Sequence, residues 1–216
     1  MGDVVVRHSF TPALLNPPVL AAGVASLGSL HREWGLRIAQ ELALTFGRAA
    51  VGYKEAVESA DSYPTHTGAA GTVTPILEPA MAQLQARLHA LAPSLDGPSF
   101  RDIWRAVTVP VNRFLFNYVA TEAFFSQAGA HQFAVDCAGM VAVFSPFTKR
   151  PAAHFREMLA AARLLTLGDQ DTQEVVRKAS MQAAVGEPLW REPWLAQLGV
   201  GCLSAQQVIA VVERRL

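Results

Sequence analysis

The chain has 216 residues, of which 51% are hydrophobic and only 17% are charged, and its formal net charge at pH 7 is zero. This composition excludes a disordered chain, and the lack of any long run of like charges excludes the usual electrostatic footprint of a nucleic-acid-binding protein. No stretch approaches the roughly 18 uninterrupted apolar residues of a membrane-spanning helix, and no secretory signal or other targeting address is legible.

The first 75 residues are predicted to contain one long helix between two irregular segments. Residues 1–26 hold three prolines and are predicted to be a connecting segment. A helical repeat runs from Leu27 to Ser59, and its internal glycines, of which Gly52 is the last, predict that the helix is bent or broken. Residues 61–75 are rich in turn-forming residues and are predicted to be a mobile loop. The apolar stripe of the helix comprises Leu30, Trp34, Ile38, Leu42 and Phe46.

Two further helices are predicted between residues 76 and 120. The first runs from Ile76 to Leu91, and the second is opened by Ser99, which with Asp102 resembles a capping box. Pro110 lies within the second helix and predicts a kink. The apolar stripe of this helix comprises Trp104, Val107, Val111, Phe114, Leu115 and Tyr118.

Two amphipathic helical patterns follow within Gly129–Leu167, separated by the short segment SPFTKRP. Pro151 suits the first position of the second helix, because the N–H that proline lacks would be unpaired there anyway. We expect the two helices to pack face to face, with Phe144 and Phe155 in the core. The first stripe comprises Phe133, Cys137, Met140, Val141 and Phe144, and the second comprises Phe155, Met158, Leu159, Ala162 and Leu165.

The chain ends with two more predicted helices. One runs from Asp169 to Val185, and the acidic residues of its first turn, Asp169 and Asp171, offset the helix dipole. The other is opened by Ser204, with Gln207 completing a capping box.

The predicted fold is an all-α antiparallel helical bundle, because the 3.6-residue period recurs and short apolar pieces such as Val4–Val6 alternate too little to form strands. The predicted organisation is a Pro-rich connecting segment over residues 1–26, a helix plus mobile loop over 27–75, and a C-terminal helical bundle over 76–216.

Patterns typical of catalysis or of metal and cofactor binding were not found. The segment Gly47–Lys54 resembles a phosphate-binding loop only superficially, because Tyr53 separates Gly52 from the lysine and a helical pattern surrounds it. The six histidines lack the spacing that places two ligands on one helix face. Cys137 and Cys202 form neither a CxxC pair nor a disulfide framework, which predicts a reducing compartment. The sequence therefore predicts no catalytic site, metal or cofactor.

Asp136 stands among the apolar residues of the first amphipathic pattern. A buried carboxyl group of this kind can have a raised pKa and serve catalysis. It can also be structural, either accepting hydrogen bonds from a neighbouring helix start or pairing with an arginine such as Arg113 or Arg163. We favour the structural interpretation, and the sequence leaves the choice of partner open.

The stretch from Gly129 resembles the C-terminal region of the RINT/TIP family, the vesicle-tethering subunits of the Dsl complex in yeast and the NRZ complex in animals. The family's Gly-Ala-x-Gln-φ-x-φ-Asp element, in which φ is apolar, is matched from Gly129 to Asp136. The likeness extends to FRDIW upstream and LGVGCLSAQQVIAVVERRL downstream, about the last three fifths of the chain. The matching signature residues are Gly129, Gln132, Phe133, Asp136, Phe144, Arg150, Pro151 and Phe155.

This resemblance implies a non-enzymatic subunit that tethers vesicles in Golgi-to-endoplasmic-reticulum retrograde transport. It implies a cytoplasmic location, peripheral on the endoplasmic reticulum membrane, and partners that are an endoplasmic-reticulum SNARE and sister tether subunits. Relatives contact the sister tether through a far N-terminal region that this chain is expected to lack. The SNARE contact is therefore the role expected for this chain. The signature residues are expected to be structural or partner-binding.

Two alternatives stay open. A subunit of another helical-rod tether, of the exocyst or oligomeric Golgi complex type, would share the fold but not the Gly129–Asp136 element. A helical enzyme of unknown activity would need a pocket with convergent polar groups.

Overall fold

The computed structural model describes residues 17–59, 72–185, 195 and 198–216. These residues form helices joined by turns and short loops, without a strand, and an isolated backbone bridge joins Phe125 to Arg215. The predicted all-α helical bundle is therefore confirmed. The helices are α1 (Pro17–Ala49), α2 (Tyr53–Glu58), α3 (Leu77–Leu91), α4 (Gly97–Arg113), α5 (Gln127–Val143), α6 (Arg156–Leu165), α7 (Asp169–Val185) and α8 (Ala205–Val212). Shorter elements are 3₁₀ turns at Ala92–Ser94 and Pro151–His154 and a π-helix at Phe114–Ala120.

The first helix begins earlier than its sequence pattern predicts. It starts at Pro17, ten residues before Leu27, because proline is tolerated in the first turn of a helix. It ends at Ala49, and Gly52 in the left-handed conformation (φ 87°) separates it from α2, which confirms the predicted break. Residues 1–16 of the predicted connecting segment, which include Val4–Val6, and residues 61–71 of the predicted loop lie outside the described residues.

The start of α4 differs from the prediction that Ser99 opens this helix. The helix begins at Gly97, and the side chain of Asp96 accepts a hydrogen bond from the Ser99 N–H at 3.2 Å. Asp96 is therefore the N-cap, because its carboxylate reaches an N–H that has no acceptor within the first turn. The helix continues through Pro110 to Arg113.

A π-helix changes which side chains of the α4 stripe face the core. The N–H of Thr121 bonds to the Phe116 carbonyl, five residues earlier, at 3.1 Å. The wider turn shifts the later side chains, so that Phe116 and Val119 are buried while Tyr118 is 47% exposed. The prediction that Tyr118 belongs to the buried stripe is therefore wrong, and Phe114 is half-buried.

The core lies where α1 packs against α3 and α4, where α5 packs against α6, and where α7 packs against α8. Phe144 and Phe155 are fully buried with ring centroids 5.2 Å apart, which confirms the predicted contact between the two amphipathic patterns. The capping box of Ser204 and Gln207 is also confirmed. In the described part of the chain, no helix is long and apolar enough to span a bilayer.

Candidate functional site

Asp136 on α5 is fully buried and receives four hydrogen bonds from three segments of the chain. The Tyr53 hydroxyl donates to Oδ2 at 2.7 Å, and the Thr74 hydroxyl donates to the same oxygen at 2.6 Å. The Thr74 N–H donates to Oδ1 at 2.7 Å, and Gln132, one turn earlier on α5, donates through Nε2 at 3.0 Å. All four partners are donors, as an ionised carboxylate requires. We name this set of residues the Asp136 network.

Backbone features of its neighbours bring the donors of the Asp136 network together. The left-handed Gly52 starts α2 and places Tyr53 at its first position. Gly139, one turn after Asp136, lets Val73 approach α5, since a Cβ on Gly139 would lie 2.7 Å from the Val73 Cγ2. Gln132 also donates to the Thr72 carbonyl at 2.9 Å. The segment leading into α3 is therefore clamped onto α5.

The electrostatics of the Asp136 network favour a structural role. Burial raises the pKa of Asp136, and the hydrogen bonds from Thr74, Tyr53 and Gln132 oppose that shift. Burial and the nearby carboxylate raise the pKa of Tyr53 well above its ordinary value, so the phenol keeps its proton. Because the carboxylate is fully buried and its hydrogen bonds come from α2, from α5 and from the residue before α3, we assign it to holding these three parts of the chain together.

The partners of Asp136 match one of the two structural interpretations from the sequence. Thr74 lies immediately before α3, so the carboxylate accepts hydrogen bonds from a neighbouring helix start, as expected. The arginine pairing is not found. Arg113 is exposed, and the Arg163 guanidinium instead donates to the Gly199 carbonyl at 3.3 Å.

The other signature residues divide between the core and the surface. Gly129 is buried in the first turn of α5, where its N–H donates to the Ser126 hydroxyl at 3.1 Å. Phe133 is buried against Phe125, with ring centroids 5.4 Å apart. In contrast, Arg150 is exposed and Pro151 is half-buried at the 3₁₀ turn before α6. The structure thus brings Gln132, Phe133 and Asp136 together on α5, and places Arg150 and Pro151 at the turn that follows it.

Asn112 is a further structural residue that the sequence patterns did not indicate. This buried side chain on α4 accepts a hydrogen bond from the Met158 N–H at 3.2 Å and donates to the Glu157 carboxylate at 3.0 Å. It therefore accepts a hydrogen bond from one of the free N–H groups at the start of α6, from a position 46 residues earlier in the chain. This role could be recognised only once the fold showed that α4 packs against α6.

An exposed cluster of aromatic and charged side chains lies at the π-helix and the loop after it. Tyr118 is 47% exposed and stacks on Phe114 with ring centroids 5.4 Å apart. The Lys54 ammonium lies 5.6 Å from the centre of the Tyr118 ring and 3.3 Å from a Glu122 carboxylate oxygen. These contacts fix the tyrosine ring on the surface of the bundle.

The cluster continues at Phe124, which is 46% exposed. The Arg214 guanidinium lies 5.0 Å from the centre of this ring and donates to the Thr121 carbonyl at 2.9 Å. The Phe124 N–H donates to the Glu58 carboxylate at 3.1 Å, which holds the loop against α2. We name Tyr118, Phe124, Lys54, Glu122 and Arg214 the aromatic patch.

The aromatic patch has the composition of a protein-binding surface. Tyrosine, phenylalanine and arginine are enriched at the centres of protein interfaces, and tyrosine and arginine are frequent hot spots. The sequence pattern missed this surface because Tyr118 falls in register with buried residues of α4, and only the π-helix turns it outward. In the described ranges, no group of three or more His, Cys, Asp and Glu side chains is arranged to hold a metal ion.

Comparison with known proteins gives a family match. The sequence model of the RINT-1/TIP-1 family matches residues 27–215. The match begins at Leu27 and so takes in most of α1 and all of α2, as well as the later helices that carry the signature residues. No curated protein and no solved structure matches the chain.

Proposed function

Because the chain belongs to the RINT-1/TIP-1 family, we propose that it is a non-enzymatic vesicle-tethering subunit that binds an endoplasmic-reticulum SNARE in Golgi-to-endoplasmic-reticulum retrograde transport. The family match over residues 27–215 carries this proposal, since members of the family are tethering subunits. The proposed partners are the SNARE and the sister tether subunits, and the proposed location is cytoplasmic, peripheral on the endoplasmic reticulum membrane.

The aromatic patch is the proposed site of SNARE binding. Its two half-exposed rings are held in place by Phe114, Lys54 and Arg214, so little side-chain entropy is lost when a partner covers them. Helical partners bind such surfaces by inserting apolar side chains spaced three and four residues apart. The N-terminal helical region of a SNARE offers such a face.

The signature residues support this surface from within. The Asp136 network ties α2 to α5, and α2 carries Lys54 of the aromatic patch and Glu58, whose carboxylate accepts a hydrogen bond from the Phe124 N–H. Phe133 packs on Phe125, next to Phe124 in the loop. We therefore propose that the buried signature residues act by shaping the binding surface and that Arg150 and Pro151 shape the turn into α6.

Binding to purified partners tests the proposal. The full chain is immobilised and exposed to the N-terminal helical regions of the endoplasmic-reticulum SNAREs and to sister tether subunits, at low and at high salt. We expect one SNARE to bind, with affinity that changes little with salt because the chain has no net charge. Failure of every one of these partners, with binding to an exocyst or Golgi-tether subunit instead, would contradict the proposed pathway.

A further inference from the structure

The N-terminal half of α1 carries an apolar stripe that the bundle leaves exposed. Its members are between 45% and 69% exposed, although they continue the face on which Ile38, Leu42 and Phe46 pack against the rest of the protein. We name this stripe the α1 seam. It comprises Leu20, Val24, Leu27, Leu30 and Trp34.

This half of α1 extends beyond the bundle. A Cβ on Gly23 would meet nothing within 4 Å, and one on Gly28 would meet only Arg32 of the same helix. The helix reaches α4 at His31, whose Nε2 lies 2.8 Å from the Ser99 hydroxyl, and at Gly35, whose Cβ would lie 3.6 Å from Ile103. In proteins most of the stability of a helix comes from packing its apolar face against other elements. The α1 seam therefore needs a covering surface.

The geometry points to a second copy of this chain as that surface, bound antiparallel about a two-fold axis through Leu27. In this register Leu20 lies opposite Trp34 of the other copy, Val24 lies opposite Leu30, and Leu27 faces Leu27. Every seam residue then meets another seam residue, which is the self-complementarity that a two-fold interface requires. The two α1 helices then overlap along the parts that extend beyond each bundle. The two bundles lie at opposite ends of this overlap.

Charge is compatible with this arrangement. Residues 17–30 of α1 contain no ionisable side chain, and the first charges of the helix are Arg32, Glu33 and Arg37. In the antiparallel register these three residues lie beside the uncharged start of the other copy, so no like charges meet. Glu33 and Arg37 already pair with each other at 2.6 Å, and the Arg37 guanidinium lies 5.4 Å from the centre of the Trp34 ring.

The size of the α1 seam predicts a weak dimer. The seam spans roughly 21 Å at 1.5 Å per residue. Covering five large apolar side chains on each copy removes roughly 1,000 Å² of surface from water, which is near the lower limit for a specific interface. The dimer is therefore expected to dissociate on dilution.

Sedimentation of the full chain over a wide concentration range tests this dimer. We expect a monomer–dimer equilibrium that Leu27→Lys abolishes, because the two introduced charges would meet at the axis. The matched control is Leu44→Lys, on the same helix and 55% exposed but outside the seam, and it should leave the equilibrium unchanged. A chain that stays monomeric at every concentration, or a dimer that Leu27→Lys leaves intact, would overturn the proposal. The proposal would also be overturned if the chain stays monomeric and Leu27→Lys weakens its binding to a different protein, because that protein would then be what covers the α1 seam.

Cross-linking tests the register separately and does not depend on a charged variant folding. With Cys202 replaced by Ser, the L27C variant should cross-link to itself through a short bis-maleimide, because helices in contact lie about 8–10 Å apart. The L20C variant should cross-link only when mixed with W34C. Equal self-cross-linking of L20C and L27C would show a parallel pair and overturn the antiparallel arrangement. Neither readout uses the SNARE, so failure of the dimer is distinguishable from failure of the proposed function.

Discussion

Replacing Asp136 with Ala removes the acceptor on which the Asp136 network depends. Tyr53 is fully buried, so its hydroxyl would be left without a partner and without access to water. The Thr74 N–H would lose its acceptor as well. Gln132 and both donors of Thr74 are less buried and recover part of their hydrogen bonding from water. The variant thus loses the bonds that connect α2, α5 and the segment before α3.

The expected cost follows from the Tyr53 hydroxyl, which cannot reach water, and from the three lost hydrogen bonds of the half-buried donors. The unsatisfied Tyr53 hydroxyl costs about 1–3 kcal/mol and each of the other three lost hydrogen bonds costs about 0.5–1.5 kcal/mol, part of which water restores, so Asp136→Ala should lower the free energy of unfolding by about 3–5 kcal/mol. Tyr53→Phe should cost only about 1–2 kcal/mol, because the hydroxyl is removed together with its requirement for a partner and Asp136 keeps three donors. The first figure is a large part of the total stability of a domain.

Urea unfolding followed by circular dichroism measures both costs. Asp102→Asn is the control, since this carboxylate lies on the exposed face of α4 and its loss should change stability by less than about 0.5 kcal/mol. A double-mutant cycle between Tyr53→Phe and Asp136→Ala should show that the two effects are not additive. A cost below about 1 kcal/mol for Asp136→Ala, or strictly additive costs, would refute the role given to the network.

The raised pKa of Asp136 predicts how the stability of the protein changes with pH. Its pKa is raised in the folded protein above the ordinary value of 3.8, so the folded state binds its proton more tightly than the unfolded state does. The stability that this group contributes is therefore fully present below the unfolded pKa and is lost as the pH rises through the folded pKa. Asp136→Asn does not titrate, so the stability of the parent relative to this variant should decrease as the pH rises above 3.8. An increase over that range would contradict the burial argument.

Further predictions concern packing and accessibility. In urea titrations, Gly139→Ala should destabilise the protein by about 1–3 kcal/mol, because the new Cβ would clash with Val73. Gly47→Ala should instead stabilise α1 by up to about 1 kcal/mol, because a Cβ there meets nothing within 4 Å. Equal effects of the two substitutions would contradict the close approach of Val73 to Gly139. Phe155→Ala should lower the free energy of unfolding by about 3–5 kcal/mol, and an unchanged urea midpoint would show that this ring is not in the core. Cys137 is buried with a raised thiol pKa, so a thiol reagent should modify Cys202 first and Cys137 only on unfolding; two equally fast thiols would disagree with the fold.

Structural features that depend only on residues close together in the sequence could be predicted. The stripes that end at Phe144 and begin at Phe155 have a helical period on both sides of a proline-containing break, so their burial could be predicted. The capping box at Ser204 and the break at Gly52 are also local signals. A period of 3.6 residues and the conformational freedom of glycine are enough to place such features.

Features that depend on distant contacts could not be predicted from the same patterns. The partners of Asp136 are Tyr53, 83 residues away, and Thr74, 62 residues away, and no local rule connects them. The exposure of Tyr118 depends on a π-helix that carries no distinct composition. The α1 seam continues a buried stripe in the sequence, and its exposure becomes visible only once the end of the bundle near His31 is known.

The affinity of the full chain for its strongest-binding endoplasmic-reticulum SNARE, measured with and without the aromatic patch, tests the central claim most directly. The variant carries Tyr118→Ala and Phe124→Ala, and the control carries Met181→Ala, a 61% exposed residue on α7 away from the patch. We predict that the patch variant binds at least about thirtyfold more weakly, as expected for loss of about 2 kcal/mol at an interface hot spot, and that the control binds like the parent. Equal affinities for the parent and a fully folded patch variant would contradict the claim that this surface captures the SNARE.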